Sequence, residues 1–521
     1  MEQEYTRSQN TIINTMCGFV NKMINILLPF VIRTVIIYTL SMEYAGLNSL
    51  FSSILQVLNL AELGISSGIV YCMYKPMAKH DEDTICAILK YMRRLYRVIG
   101  IVVAILGIMI IPFLSYFVKS DIPEGLNIQV LYIIYLINTV IGYFFFAYKS
   151  TLLNAGQKIG VINNINTGIV LIQSVSQIAI LFILKNYYIY LLVMPIFTFI
   201  NNIWIFIITK KYYPTIICKG NLLAEVKQDI EIRVKGLFIT RFCTTTRNAF
   251  DSIFISSFIG LRQVAIYGNY YYILSAVIAC ISVITTAMTA SVGNSLVTES
   301  IRKNYNDMRK FNFAFNWVVG FCTACLLVLY QPFMTIWMGK DNLFSNNIVI
   351  LFCVYFYFLN LGSIRAVYHD AAGLWWEARY RAITEALLNI VLNIVLTYWF
   401  GVFGTVLGTL ISLVIVNYIY GTQIVFKYYF KGISAKEYFL DNLLYGVATF
   451  VICTILYIVS SKIVIIGILG LVIRLILSIF IFNIIYLIVF MKSQVFQECK
   501  SMAIGLLHRR YLKSTKRRNE N

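Results

Sequence analysis

Apolar runs long enough to cross a bilayer recur along this sequence, and they restrict its fold more than any other feature. An α-helix needs about 20 apolar residues to span the hydrocarbon core. Fourteen such runs follow one another, at roughly 11–38, 46–74, 95–117, 127–148, 161–184, 187–209, 237–260, 265–297, 311–338, 346–372, 381–399, 404–426, 441–460 and 463–491. Only KN, at the head of KNYY, separates the fifth from the sixth, and SK the thirteenth from the fourteenth, so these pairs read as tight helical hairpins. Composition agrees: 59% of the 521 residues are hydrophobic and 13% charged, with a mean hydropathy of +0.76. The expected fold is an all-α polytopic membrane protein with 14 transmembrane helices. The opening MEQEYTRSQN lacks the basic region and small-residue cleavage site of a signal peptide, so no processing is expected.

Lysine and arginine give the sidedness, because basic residues collect in cytoplasmic loops. With the N-terminus inside, the inner segments hold 32 of the 43 basic residues. The outer loops hold 5, namely Lys119, Lys185, Arg262, Lys340 and Lys462. The remaining 6 are intramembrane: Lys22, Arg33, Arg241, Arg247, Arg365 and Arg474. Both termini are therefore expected in the cytoplasm. The formal charge of +20 needs no nucleic acid as partner; the segments KYMRRLYR and HRRYLKSTKRRNEN suit anionic lipid headgroups.

The long polar segment KKYYPTIICKGNLLAEVKQDIEIRVK divides the chain after six spans. Spans 1 and 7 both start inside, which makes two six-helix lobes parallel pseudo-repeats. The expected organisation is an N-lobe at 1–236, a C-lobe at 237–436, and a third part at 437–521 holding spans 13 and 14 with a basic tail.

Charges inside the spans are costly and therefore informative. In RFCTTTRNAFDSIF (241–254), Arg241, Arg247, Asn248 and Asp251 share one face of span 7 at about 100° per residue. Lys22 and Arg33 lie on the polar side of span 1, and Asn48, Ser52, Asn59, Glu62 and Ser66 form a stripe in span 2. These faces predict a hydrated, net-basic cavity between the lobes. The bland readings are snorkelling for Arg241 and Arg33, near span ends, and a structural ion pair for Arg247 with Asp251. Arg365 stands one turn from His369 in span 10, while Arg474 has no evident partner. Guanidinium in a cavity suits an anionic group, above all a phosphate or diphosphate. Glu62, Asp251 and Glu385 are candidates for coupling to protons or sodium. The cysteines stand mostly singly; the closest pair, Cys322 and Cys325, reads as helix packing, and no metal site is expected. GxxxxGK[ST] is absent, so transport would draw on an ion gradient or the membrane potential.

Two stretches, RNAFDSIFISSFIGLRQVAIYGNYYYIL (247–274) and LAELGISSGIVYCMYKPMAKHD (60–81), resemble bacterial polysaccharide exporters. These are the Wzx-like, O-antigen and teichoic-acid export proteins of the multidrug/oligosaccharidyl-lipid/polysaccharide superfamily. The resemblance implies alternating access by paired six-helix lobes that carry an undecaprenyl-diphosphate-linked oligosaccharide to the outer leaflet. It implies a cationic cavity at Arg33 and at Arg247 with Asp251. Fourteen spans look more like the related lipid II flippases, whose extra helices border a groove for the lipid tail; Arg474 would lie beside that lipid. A polysaccharide synthase or polymerase is the implied protein partner, and no cofactor is expected.

Two readings compete. A membrane-embedded polymerase or glycosyltransferase would need acid–base residues on a large external loop, and every outer loop here is short. A cation antiporter of the same fold would want carboxylates and aromatics where this chain has arginines.

Overall fold

A computed structural model describes residues 7–59, 65–118, 122–123, 125–156, 158–222, 224, 227–228, 230–231, 245, 249–502 and 504. Among them every regular element is helical. Ten helices are long and apolar enough to cross a membrane, and an eleventh span forms if the bent pair Ile128–Phe144 and Ala147–Ala155 is counted as one. Their outward residues are apolar; on the Gly467–Phe490 helix, Ile468, Leu469 and Phe480 are exposed, as lipid contact requires. The chain is a multi-pass membrane protein.

The predicted spans appear with specific interruptions. Of span 2, the Met42–Leu58 and Ile65–Ala78 helices are described. Span 10 breaks at Gly362, between Asn346–Leu361 and Ser363–Ala371. Spans 11 and 12 turn back at Gly401, whose φ of 60° and ψ of −139° are accessible chiefly to glycine. Buried hydrogen bonds link Thr397 to Thr405 (2.8 Å) and Asn389 to Thr409 (3.0 Å), so the two helices run antiparallel. Of span 7, the Ala249–Phe258 helix is described.

By packing, the chain divides into two compact units. One holds residues 1–268 and 397–405, the other 269–396 and 406–521. In the first, the Arg7–Thr39 helix lies along Ile159–Ile183. There the Asn21 amide donates to Thr167 Oγ1 at 2.9 Å, a polar tie of the kind that joins helices where water is excluded.

The second unit is organised around the Ile301–Met338 helix. The last two helices, Lys436–Ser461 and Gly467–Phe490, pack on it through Phe313, Tyr445, Phe482, Tyr486 and Phe490. Gly320 permits the approach: an added methyl would come within 2.7 Å of Thr449 Oγ1 and 2.8 Å of Phe482. Arg309 pairs with Asp441 through Nε at 2.8 Å and Nη2 at 3.3 Å. Spans 13 and 14 thus pack one face each on this unit and expose the other.

Candidate functional site

Arg33 lies near the end of the Arg7–Thr39 helix, half-buried. Its Nη1 donates to Ser49 Oγ at 3.1 Å and its Nη2 to the Ala265 carbonyl at 3.0 Å. Gly268 makes room for the group, since a methyl there would lie 2.6 Å from Nη2. The guanidinium is thereby anchored on two other helices of its own unit rather than left to snorkel. The same unit holds a layer of tyrosines: Tyr187 and Tyr190 stack at 5.5 Å, and Tyr44 meets Tyr187 edge-on at 5.0 Å.

The same unit contains a cavity of about 380 Å³ lined by Ser52, Gln56, Asn59, Tyr135, Asn138, Thr139 and Thr245, with Leu55 and Met194. Ser52 and Asn59 belong to the stripe read from span 2. Tyr143 donates to Asn59 Oδ1 at 3.1 Å and Thr198 to Asn138 Oδ1 at 2.7 Å, which fixes how these amides are presented. Neutral hydroxyl and amide groups of this kind recognise other hydroxyl-bearing groups.

In the second unit Arg365 is buried, 4% exposed. Its Nη2 donates to Asn417 Oδ1 at 3.2 Å. Asn417 in turn donates to Glu385 Oε2 at 3.0 Å, and Arg381 Nη1 reaches the same oxygen at 3.0 Å. Asn417 belongs to a π-helical stretch, Leu413–Tyr420, an irregularity that turns extra side chains inward. Glu385 is thus engaged by Arg381 and Asn417.

The other sequence candidates separate clearly. Asp251 is buried and accepts a 2.8 Å hydrogen bond from Tyr267, while Lys22 is half-buried on the Arg7–Thr39 helix. Arg474 donates to the carbonyls of Ile463 (2.7 Å), Ile465 (3.1 Å) and Gly470 (3.2 Å), tying the turn between the last two helices. Arg241, Arg247, Asn248 and Glu62 lie outside the described residues. Sequence reasoning missed the tyrosine layer, Asn138, Arg381 and Asn417. Arg381 and Glu385 carried a usable signal, their i, i+4 spacing; single polar residues in apolar runs carried none.

Fold and site together define a polytopic helical membrane protein with cationic and polar groups held inside its helices. No protein-family model and no curated protein matches the sequence. Solved structures do match. The structure of lipid II flippase MurJ in an inward closed conformation aligns with a TM-score of 0.66 and 15% identity, over 92% of this chain and 99% of that one. An inward-facing multidrug resistance MATE family transporter of the MOP superfamily aligns with a TM-score of 0.60 and 13% identity, covering 79% of this chain and 98% of that one. An outward-facing MATE transporter of that superfamily gives 0.53 and 13%, over 81% and 96%. At these identities the likeness is one of fold. The chain has the fold that MurJ and the MATE transporters share.

Proposed function

We propose that this chain is a flippase of the bacterial plasma membrane. It moves an undecaprenyl-diphosphate-linked oligosaccharide from the inner to the outer leaflet by alternating access, for polysaccharide export. The fold match to a lipid II flippase over 92% of the chain carries this reading. Arg33 would receive the diphosphate, since an anchored guanidinium forms paired hydrogen bonds with phosphate oxygens. Lys22, Arg241, Arg247, Asn248 and Arg365 complete the proposed cationic set, and the amides of Gln56, Asn59 and Asn138 suit sugar hydroxyls. Coupling to a proton or sodium gradient falls to Asp251, Glu62 or Glu385, and Arg474 borders the lipid. No cofactor is needed; a polysaccharide polymerase and anionic lipids are the proposed partners.

A second reading, transport of lipid II or another cell-wall precursor, is favoured by the name of that same structural neighbour. One experiment separates the two. Purified protein in liposomes is given a fluorescent lipid-diphosphate oligosaccharide or lipid II, and leaflet exchange is followed by quenching. Exchange of the oligosaccharide above lipid II supports polysaccharide export, the reverse order supports the precursor, and exchange of neither sinks both.

A further inference from the structure

The fourth and tenth spans are each interrupted, the fourth with a 44° bend between its segments and the tenth within a run that continues from Asn346 to Ala371. Each begins as a helix of similar length, 17 residues in Ile128–Phe144 and 16 in Asn346–Leu361. Each is then interrupted, at Phe146 with a left-handed φ of 58° and at Gly362. Each resumes for nine residues, Ala147–Ala155 and Ser363–Ala371. The two short segments end alike. The sixth residue accepts a backbone hydrogen bond from the tenth position: Gly156 to Leu152 at 3.0 Å, Ala372 to Tyr368 at 3.0 Å. The seventh accepts from five residues on, Lys158 to Leu153 at 2.8 Å and Leu374 to His369 at 3.2 Å, the six-to-one closure of a Schellman turn.

At the third position each segment buries a cation, Lys149 at 8% exposure and Arg365 at 4%. Each cation leans on the last span of its own six. Lys149 Nζ lies 6.0 Å from the ring of Phe206, in the sixth span, and 6.0 Å from that of Tyr148 in its own segment. Arg365 packs against Gly421 and bonds to Asn417, in the twelfth; a methyl at Gly421 would run into the guanidinium. A cation in the first turn opposes the helix dipole, so neither side chain is there to stabilise its own segment.

We infer that Lys149 and Arg365 are equivalent positioning residues, each pinning the second segment of an interrupted span to the last span of its half. Their use in gating rests on the proposed transport function; the pinning does not.

Hydrogen exchange on the whole protein in nanodiscs tests the pins without substrate. Lys149→Met should speed exchange in 147–155 by about tenfold, and Arg365→Met should do so in 363–371, each sparing the other segment. Lys149→Arg and Arg365→Lys, which keep the cation, should stay near the unsubstituted rates. Phe206→Leu removes the receiving ring, and Asn417→Ala the receiving amide together with its bonds to Glu385; both should give smaller, local increases, which keeps the test open if a Met variant does not fold. Unchanged exchange in these segments, or acceleration spread over the chain, overturns the inference. Flipping is assayed separately: loss of transport claims in the unsubstituted protein leaves the exchange result standing, and the converse holds.

Discussion

At the scale of single residues, position and partners decide what a charge does. Arg33 was legible in the sequence as an intramembrane arginine, but Ser49 and Ala265 lie 16 and 232 positions away, and only folding brings them to it. Its fork geometry is the useful property. A lysine keeps the charge yet cannot serve two acceptors in fixed directions. Arg33→Lys should therefore retain part of the flipping activity and Arg33→Ala lose at least about tenfold, with surface polymer and protein level both measured. Full activity of the alanine variant at normal protein level removes Arg33 from the site. Asp81 is the contrasting case, an exposed cap whose carboxylate accepts from the Thr84 hydroxyl at 2.6 Å and amide at 3.0 Å. Those two bonds hold its carboxyl below the ordinary value of 3.8. A lowered carboxyl stabilises the helix start fully above its ordinary value and loses that contribution as pH falls through the lowered one. Amides of residues 82–86 should exchange faster in Asp81→Ala at pH 7, and the difference from the unsubstituted chain should shrink as pH falls below the ordinary carboxylate value and the carboxyl protonates.

Helices and their crossings show how much of the architecture hydropathy can reveal. The membrane-spanning segments were readable because each must hide its backbone from lipid, which forces long apolar runs. The turn at Gly401 was readable as well, from GVFG between two such runs. The break at Phe146 was not, since no glycine or proline marks it and its φ of 58° is imposed by packing. Arg474 was unreadable for another reason: its acceptors are backbone carbonyls, which every residue has. Small residues at crossings were equally silent. A methyl at Gly46 would run into the Leu261 carbonyl, a backbone group that cannot rotate aside. Gly46→Ala should cost about 1–3 kcal/mol, seen as a lowered melting temperature in detergent. An unchanged melt would mean that these helices can part without loss.

For the molecule as a whole, the distribution of basic residues makes the strongest claim, because it bears on which side of the membrane every loop faces. Placing 32 of 43 lysines and arginines in inner segments and 5 in outer loops requires that every span be counted correctly. One missed helix would invert all the loops beyond it and scatter the asymmetry. The interrupted spans are where a miscount would arise: span 4, span 10 and the 50-residue helical run Arg379–Tyr428. The antiparallel contacts across Gly401 argue that this run crosses twice, since Asn389 meets Thr409 and Thr397 meets Thr405. If so, the loop at Lys431 faces the same side as that at Lys158, and opposite to Lys185 and Lys462. In a cysteine-free background, Lys185→Cys and Lys462→Cys should react with an impermeant maleimide on intact cells, whereas Lys158→Cys and Lys431→Cys should react only after permeabilisation. Labelling of Lys431→Cys from outside, with Lys158→Cys still protected, would show an odd number of crossings between them. The C-terminal part of the chain would then be inverted, and a cytoplasmic entry for a lipid-linked cargo could not be shared by the two halves.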